Sequence, residues 1–115
     1  MRILILVIFS AAAVFAQSPA QPAPGGDSQN GRKLFEKYGC FQCHGHEAQG
    51  GSAGARLALH PISYAAFSKY VRQPLNQMPP YTAKVLPDRE LADIYAFLAS
   101  IPQSRAAKDI PLLNR

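Results

Sequence analysis

The chain has 115 residues, of which 12 are lysine or arginine and 7 are aspartate or glutamate, giving a net charge of +5. This length has room for one domain. The basic residues are scattered, without the clusters or aromatic-interleaved stripes that bind nucleic acid, so we expect no nucleic-acid partner. The mild positive excess suits instead a protein partner that is acidic at the contact.

Residues 1–16 have the pattern of a secretory signal peptide. Arg2 supplies a positive start, a short apolar run follows, and small residues lead up to Ala16. The run is too short to span a bilayer comfortably, so we predict cleavage after Ala16 and export, to the periplasm in a bacterium, with no stable membrane insertion. An uncleaved N-terminal membrane anchor is the alternative. The Pro-, Ala- and Gly-rich residues 17–26 predict a disordered or polyproline-like leader.

A folded domain is predicted over residues 27–102, and it begins with a helix. Asp27 and Ser28 are candidate N-caps for a helix over residues 29–38. Its apolar positions recur at three- and four-residue intervals. Gly31 lowers helix stability, which makes sense if another helix passes closely at that point.

Two further helices are predicted from their start and stop signals. Ser63 opens a helix over residues 64–72, which closes before Pro74. The last helix begins with Asp88 as its cap and stops at Pro102. Its apolar residues follow the helical period closely: Leu91, Ile94, Tyr95, Leu98 and Ile101.

Residues 103–115 are predicted to form a C-terminal tail. The tail contains three apolar residues, Ile110, Leu112 and Leu113. We expect these side chains to leave water, either by packing on the domain or by docking a partner.

The stretch from Cys40 to His44 reads Cys-Phe-Gln-Cys-His, the attachment signature of a c-type haem. Each thiol adds across a haem vinyl group and forms a thioether. The two intervening residues make about one tight turn, which brings the sulfurs of Cys40 and Cys43 to neighbouring vinyl groups. The next residue, His44, then directs its imidazole at the iron as an axial ligand.

A Cys-x-x-Cys pair can also have three functions other than haem attachment. A thioredoxin-like redox pair needs a βαβ context that the sequence does not show. A structural zinc site usually needs four ligands, and only two cysteines with His44, His46 and His60 are present. A plain disulfide is the third alternative outside the cytoplasm. We expect His46 to be a solvent-facing loop histidine, because it leaves the turn on the same side as His44.

Met78 is the candidate for the opposite face of the iron. It is the only methionine that remains after removal of the signal, and Pro79 and Pro80 stiffen the backbone that follows it. A lone methionine is usually core filler. Since His/Met ligation is an established haem arrangement, we predict that Met78 is the sixth ligand, opposite His44.

The order of these features over residues 27–102 resembles that of a small, single-haem class I cytochrome c of bacteria. The match includes the Cys-x-x-Cys-His turn, a Gly-rich loop over residues 45–54 and the Met-Pro-Pro-Tyr stretch at Met78. The resemblance implies an all-α fold wrapped around one covalently bound haem, with crossing N- and C-terminal helices. It also implies that Gly31 and Phe35 meet the region of Tyr95, and that iron is held by His44 and Met78.

The chain departs from this family beside the Gly-rich loop. The family often places a proline after the glycine, and the carbonyl of that proline accepts the Nδ1–H of the axial histidine. Here Gly54 is followed by Ala55, whose backbone carbonyl is still available to His44. Such a bond orients the imidazole and tunes the metal.

Three residues are predicted to contact the haem propionates through their polar groups. Arg56 lies just after the Gly-rich loop, and Tyr64 and Tyr70 lie on the second helix. Their polar tips are long enough to reach a haem pocket. The alternative for each is an amphipathic side chain at the surface.

With His44 and Met78 both bound, the iron would have no open position, which argues against oxygen or peroxide chemistry. The sequence therefore predicts an electron-transfer protein that is not itself an enzyme. We expect an exported one-electron carrier with redox protein partners, either diffusible or the haem subunit of a periplasmic dehydrogenase or oxidase chain. The alternative is a haem-based ligand-binding or sensor protein in which Met78 is a labile ligand.

Overall fold

The computed structural model describes residues 25–59, 61–102 and 107–113. These residues form helices and loops without a strand, which confirms the all-α prediction. The elements in chain order are α1 (Ser28–Lys37), α2 (Phe41–His44), α3 (Tyr64–Arg72), α4 (Asp88–Ser100) and two 3₁₀ turns, Ala107–Asp109 and Pro111–Leu113.

The predicted signal peptide, residues 1–16, and most of the leader, residues 17–26, lie outside the described residues. Both therefore stay predictions. Within the part of the chain that the structure describes, every helix is too short or too polar to cross a membrane.

The start of α1 is built as its sequence predicts. The Asp27 carboxylate accepts hydrogen bonds from the backbone N–H groups of Gln29 (2.9 Å) and Asn30 (3.2 Å), so Asp27 is the N-cap. The helix begins at Ser28 and ends at Lys37, one residue earlier at each end than expected. The capping side chain of Asp27 was therefore sufficient to predict where α1 begins.

Helix α1 packs closely against α4. A Cβ atom on Gly31 would collide with the backbone carbonyl of Asp93, so only glycine allows this approach. The rings of Phe35 and Phe97 pack with centroids 5.5 Å apart. The expectation that a helix passes closely at Gly31 is confirmed.

The prediction that Gly31 and Phe35 meet the region of Tyr95 is confirmed, because they pack against Asp93 and Phe97, which lie two residues to either side of Tyr95. Tyr95 lies against α3, with its ring centroid 5.3 Å from that of Tyr64 and 5.4 Å from that of Phe67. Successive residues turn by about 100° around a helix, so Tyr95 points away from the side on which Asp93 and Phe97 meet α1. Helix α4 therefore buries two faces, and each packs against a different helix.

Asp93 is the buried carboxylate of the α1–α4 interface, with 6% of its surface exposed. Its Oδ1 accepts the backbone N–H of Asp27 (2.8 Å), and its Oδ2 accepts the side-chain amide of Asn30 (2.8 Å). In a capping box, a glutamate within the same helix accepts the N–H of the N-cap residue. Here a carboxylate from the neighbouring helix takes that role, and it ties the start of α1 to α4.

Helix α3 has the predicted bounds. The Ser63 hydroxyl accepts the N–H of Ala66 (3.3 Å) and caps the start, while Gln73 ends the helix just before Pro74. The apolar side of the helix is buried through Phe67 and Val71.

The predicted cap of α4 was wrong by one residue. Pro87 occupies the N-cap position with extended backbone, and Asp88 is the first residue of the helix. The Asp88 carboxylate is used differently, because its Oδ1 accepts a hydrogen bond from Nη2 of Arg72 (2.6 Å). A tertiary ion pair therefore competes with the local cap, and the start of α4 is joined to the end of α3.

The C-terminal tail was predicted either to pack on the domain or to dock a partner, and its two described apolar side chains differ in exposure. Ile110 is half-buried, whereas 71% of the surface of Leu112 is exposed. The side chain of Leu113 lies outside the described residues. Leu112 therefore does not pack on the domain, and docking of a partner stays a prediction.

Candidate functional site

Helix α1 leads directly into the two cysteines. Gly39 has a positive φ of 73°, which turns the chain, and the N–H of Cys40 donates to the carbonyl of Phe35 (3.1 Å). Cys40 is then the N-cap residue of the short helix α2. Residues three apart on a helix share one face, so the thiols of Cys40 and Cys43 lie on the same side.

Both thiols are free, and they differ in exposure. Cys40 is half-buried and Cys43 is exposed. Burial raises the pKa of the Cys40 thiol to about 11. A redox-active Cys-x-x-Cys pair needs a lowered pKa, so the environment of Cys40 does not favour a thioredoxin-like role.

The zinc alternative requires several ligands at one point. Among residues 25–59, 61–102 and 107–113, no three His, Cys, Asp or Glu side chains are close enough together to hold a metal ion. His60, one of the ligands considered, lies outside the described residues.

The imidazole of His44 is held by the carbonyl that the sequence suggested. Nδ1 of His44 lies 2.7 Å from the backbone oxygen of Ala55. Because a carbonyl oxygen only accepts, Nδ1 carries the hydrogen of this contact, which in a neutral imidazole leaves the lone pair on Nε2. This arrangement is typical of a metal-binding histidine, whose second nitrogen donates to a carbonyl or carboxylate.

The Gly-rich loop packs against the back of His44. The N–H of Gly50 donates to the carbonyl of His44 (2.8 Å), and Gly51 and Gly54 close a turn through a 2.9 Å bond. A Cβ atom on Gly54 would lie 2.7 Å from the Cys43 carbonyl oxygen and 3.0 Å from Nδ1 of His44. The absence of a side chain at Gly54 therefore lets the loop deliver the Ala55 carbonyl to the imidazole.

His46 is exposed, as predicted for a loop histidine. Its ring stacks on that of Phe41, with centroids 4.5 Å apart and an interplanar angle of 26°. The stacking holds His46 against the side of α2.

Met78 is half-buried and packs against the hydrophobic core, as do Cys40, Phe41 and Tyr81. Tyr81 shows that the methionine loop (residues 75–86) and the cysteine turn (residues 40–44) are neighbours. The pKa of Tyr81 is raised, chiefly by burial and further by the nearby thiols of Cys40 and Cys43. The fold thus brings two motifs that are distant in sequence to one region.

Tyr81 is the residue that sequence reasoning missed. Its hydroxyl donates to the carbonyl of Tyr38 (2.9 Å), and its ring meets that of Tyr38 edge-on at 6.4 Å. The aromatic residue with a polar tip directly after two prolines was the available signal. Its partner was not readable, because Tyr38 is far away in sequence.

Two of the three predicted propionate contacts have hydrogen-bond partners within the protein. Nε of Arg56 donates to the carbonyl of Gln49 (3.2 Å), the hydroxyl of Tyr64 donates to the carbonyl of Asp88 (3.3 Å), and Tyr70 is exposed. Arg56 also lines a cavity of about 260 Å³. The other residues around this cavity are Glu47, Gln49, Ala58, Leu59, Ile101 and Pro102, so its wall contains none of the predicted thioether or iron ligands.

The residues present fit a c-type haem on the chemistry of the donor set. Two free thiols lie one turn apart, an imidazole follows with Nε2 available, and a thioether lies on a loop near the same region. Thiol, imidazole and thioether are the groups by which c-type haem is attached and ligated.

Comparison with known proteins gives a family. The model of the family described as "Cytochrome C oxidase, cbb3-type, subunit III" matches residues 26–98. Cytochrome c-555 of Methylococcus capsulatus (Bath) is 30% identical over 84 residues, which cover 70% of this chain and 68% of that protein. No solved structure gives a significant match. The chain therefore belongs to the family of cbb3-type cytochrome c oxidase subunit III.

The family and the relative define the class of protein. It is a c-type cytochrome, a haem-based electron carrier rather than an enzyme. Its cofactor is haem c with iron.

Proposed function

We propose that the protein is an exported one-electron carrier of the class I type with a single haem. The haem is attached through Cys40 and Cys43, and its iron is bound by His44 and Met78. When bound, the haem supplies an iron that changes between Fe(II) and Fe(III) without gaining or losing a ligand. The observation that supports this proposal best is the 2.7 Å contact between Nδ1 of His44 and the Ala55 carbonyl.

Each residue of the site has a distinct task in this proposal. The two thioethers tie the ring to α2, so the cofactor cannot dissociate during electron exchange. Ala55 fixes the tautomer and the orientation of the His44 ring. The thioether of Met78 is a soft ligand that favours the reduced iron and raises the potential. If His44 and Met78 both held the iron, no position would be left for a small ligand.

Arg56, Tyr64 and Tyr70 complete the proposed pocket as candidates for contacts with the haem propionates. Arg56 is the strongest of the three, because it is exposed and carries a permanent charge opposite to that of a propionate. Its neighbour Ala55 holds His44, so the guanidinium is attached to the same short segment as the axial histidine.

Export and a redox partner belong to the same proposal. The signal-like residues 1–16 would bring the chain to the compartment where c-type haem is attached in bacteria. The net charge of +5 favours a partner that is acidic at the contact. The name of the relative, cytochrome c-555, supports a c-type haem, and the oxidase-subunit description of the family favours a subunit of an oxidase complex.

Mass spectrometry and optical spectra of the exported protein test the haem. We expect one covalently added haem and a low-spin spectrum in both redox states. His44→Ala should lose the low-spin spectrum, and Met78→Ala should open the iron to carbon monoxide. His46→Ala is the matched control, since His46 only stacks on Phe41, and its spectrum should stay unchanged.

Two results would contradict the proposal. A mature chain without added haem mass would overturn it completely. Fast and complete binding of carbon monoxide by the unaltered reduced protein would favour the alternative, a ligand-binding or sensor protein with a labile Met78.

Deletion of residues 103–115 separates a diffusible carrier from a complex subunit. Leu112 is 71% exposed, which suits a docking role for this tail. A subunit would purify with partners in fixed stoichiometry, and the deletion would release it. A diffusible carrier would purify alone with or without the tail.

A further inference from the structure

Tyr81, which ends the Met-Pro-Pro-Tyr stretch, is held at three points. Its backbone N–H donates to the carbonyl of Val71 (3.1 Å), and its backbone carbonyl accepts Nη1 of Arg72 (2.8 Å). Its hydroxyl donates to the carbonyl of Tyr38 (2.9 Å). The residue therefore has hydrogen bonds to two separate parts of the fold.

The partners of Tyr81 belong to the elements around the candidate site. Val71 and Arg72 end α3, and Nη2 of Arg72 continues to the Asp88 carboxylate at the start of α4 (2.6 Å). Tyr38 is the C-cap residue of α1 and precedes the turn into Cys40. The Tyr81 hydroxyl thus joins the methionine loop to the segment that leads into the cysteines.

Apart from Met78, which packs against the hydrophobic core, several residues of the loop are exposed. Leu75 is 85% exposed, and Pro79 and Pro80 are exposed as well. The two prolines fix φ near −65°, so the chain between Met78 and Tyr81 is stiff. In a stiff and exposed segment, the position of Tyr81 sets the position of Met78.

We propose that Tyr81 is a positioning residue for Met78, acting through its hydroxyl bond to the Tyr38 carbonyl. When this bond is intact, the methionine loop stays against the domain and external ligands do not displace the Met78 sulfur. When it is lost, the loop opens more often and the iron becomes accessible. Because this role requires Met78 to bind the iron, it rests on the function proposed above.

Tyr81→Phe in the haem-loaded protein tests this role, with Tyr95→Phe as the matched control. Tyr95 also donates its hydroxyl to a backbone carbonyl, that of Ile62 (2.8 Å), but this bond joins α4 to the segment before α3. Both variants should lower the thermal stability to a similar extent. A purely structural role for the Tyr81 hydroxyl would make the two variants alike in every other respect.

The distinguishing measurement is the binding of imidazole to the oxidised protein. Binding is monitored through the loss of the absorption band of the sulfur-ligated iron. We expect Tyr81→Phe to increase both the apparent affinity and the binding rate by about three- to tenfold, the range that one lost hydrogen bond gives. Tyr95→Phe should bind imidazole like the unaltered protein. Equal binding by the two variants would overturn the positioning role.

Two further variants, Arg72→Lys and Met78→Ala, distinguish a failure of the positioning role of Tyr81 from a failure of the assignment of Met78 as a ligand. Arg72 uses two nitrogens, one for the Tyr81 carbonyl and one for the Asp88 carboxylate, whereas a lysine has only one. Arg72→Lys should therefore weaken the hydrogen bond to the Tyr81 carbonyl and increase imidazole binding, as Tyr81→Phe does. Met78→Ala should bind imidazole far more tightly than the unaltered protein. If Met78→Ala does not, the ligand assignment fails and the positioning role with it. If it does while Tyr81→Phe and Arg72→Lys have no effect, only the positioning role fails.

Discussion

The interface between α1 and α4 is made of buried side chains, whereas the loops that carry the candidate ligands are held by hydrogen bonds to backbone carbonyls. Phe35 and Leu98 are each 1% exposed, while no residue of α2 is buried. The helix pair therefore obtains apolar contacts from its own residues. The loops are held by hydrogen bonds, and some of their apolar surface stays accessible to solvent. This is expected for a region that an apolar cofactor completes.

The largest effect is expected at the helix pair, from Gly31→Ala. The added methyl group would collide with the Asp93 carbonyl, and neither helix backbone can move without losing the other contacts of the interface. Because overpacking costs about 1–3 kcal/mol and this collision is with rigid backbone, the free energy of unfolding should fall by about 3 kcal/mol. Urea unfolding followed by circular dichroism measures it.

Gly51→Ala is the control for this substitution. Its Cβ atom would find only the Cys43 carbonyl oxygen, at 3.9 Å, so the stability should change by less than about 0.5 kcal/mol. Similar losses at Gly31 and Gly51 would mean that the close approach of α1 and α4 is not what requires glycine.

On the loop side, Gly54→Ala should perturb the support of His44. The new methyl group would press on the Cys43 carbonyl and on Nδ1 of His44, at a cost of about 2–3 kcal/mol. Displacement of the Ala55 carbonyl would also change the optical spectrum and the reduction potential. Gly51→Ala, three residues earlier in the same loop, should leave both unchanged, and a normal spectrum in Gly54→Ala would contradict the prediction.

Asp93→Asn tests the polar connection within the helix interface. Both carboxylate oxygens accept hydrogen bonds, from the Asp27 N–H and from the amide of Asn30, so an asparagine would direct an N–H group at one of these donors. We expect the free energy of unfolding to fall by about 1–2 kcal/mol. The control is Glu36→Gln at an exposed position of α1, and equal stability of the two variants would show that Asp93 has no special role.

The smallest effect is expected for the ion pair between Arg32 and Glu47, which connects α1 to the Gly-rich loop. The side chains are 49% and 55% exposed, so solvent weakens their attraction. Glu47→Gln should lower the stability by less than about 1 kcal/mol, and the difference should shrink in high salt. Since Arg32 also lies 5.6 Å from the centre of the Phe97 ring, Arg32→Gln should cost more than Glu47→Gln.

Helix bounds were predictable wherever a local signal marked them. Ser63 and Pro74 bracket α3, and Asp27 caps α1 with its own side chain. Such signals act over a few residues, so they are readable without knowledge of the fold. Asp88 is the exception, because its carboxylate bonds to Arg72 instead of capping α4.

The chemistry of the candidate site could be proposed from the sequence as far as that chemistry is local. The spacing of Cys40, Cys43 and His44 follows from the covalent geometry of one turn, and the Ala55 carbonyl could be named because it lies next to Gly54. The position of Met78 relative to the cysteine turn was inferred only from ligand chemistry.

By itself, the sequence determined helices α1, α3 and α4, the caps of α1 and α3, and the order of the Cys-x-x-Cys-His and Met-Pro-Pro-Tyr motifs, because each depends on residues within about one or two turns of chain. Only the tertiary structure decided that Tyr95 packs on α3, that Asp93 accepts bonds from the start of α1, and that Tyr81 fastens the methionine loop to Tyr38. Periodicity shows that a helix has an apolar side, but the angle at which helices pack decides which residue meets which partner. Hydrogen bonds between distant segments leave no local pattern, so they become visible only when the chain is folded.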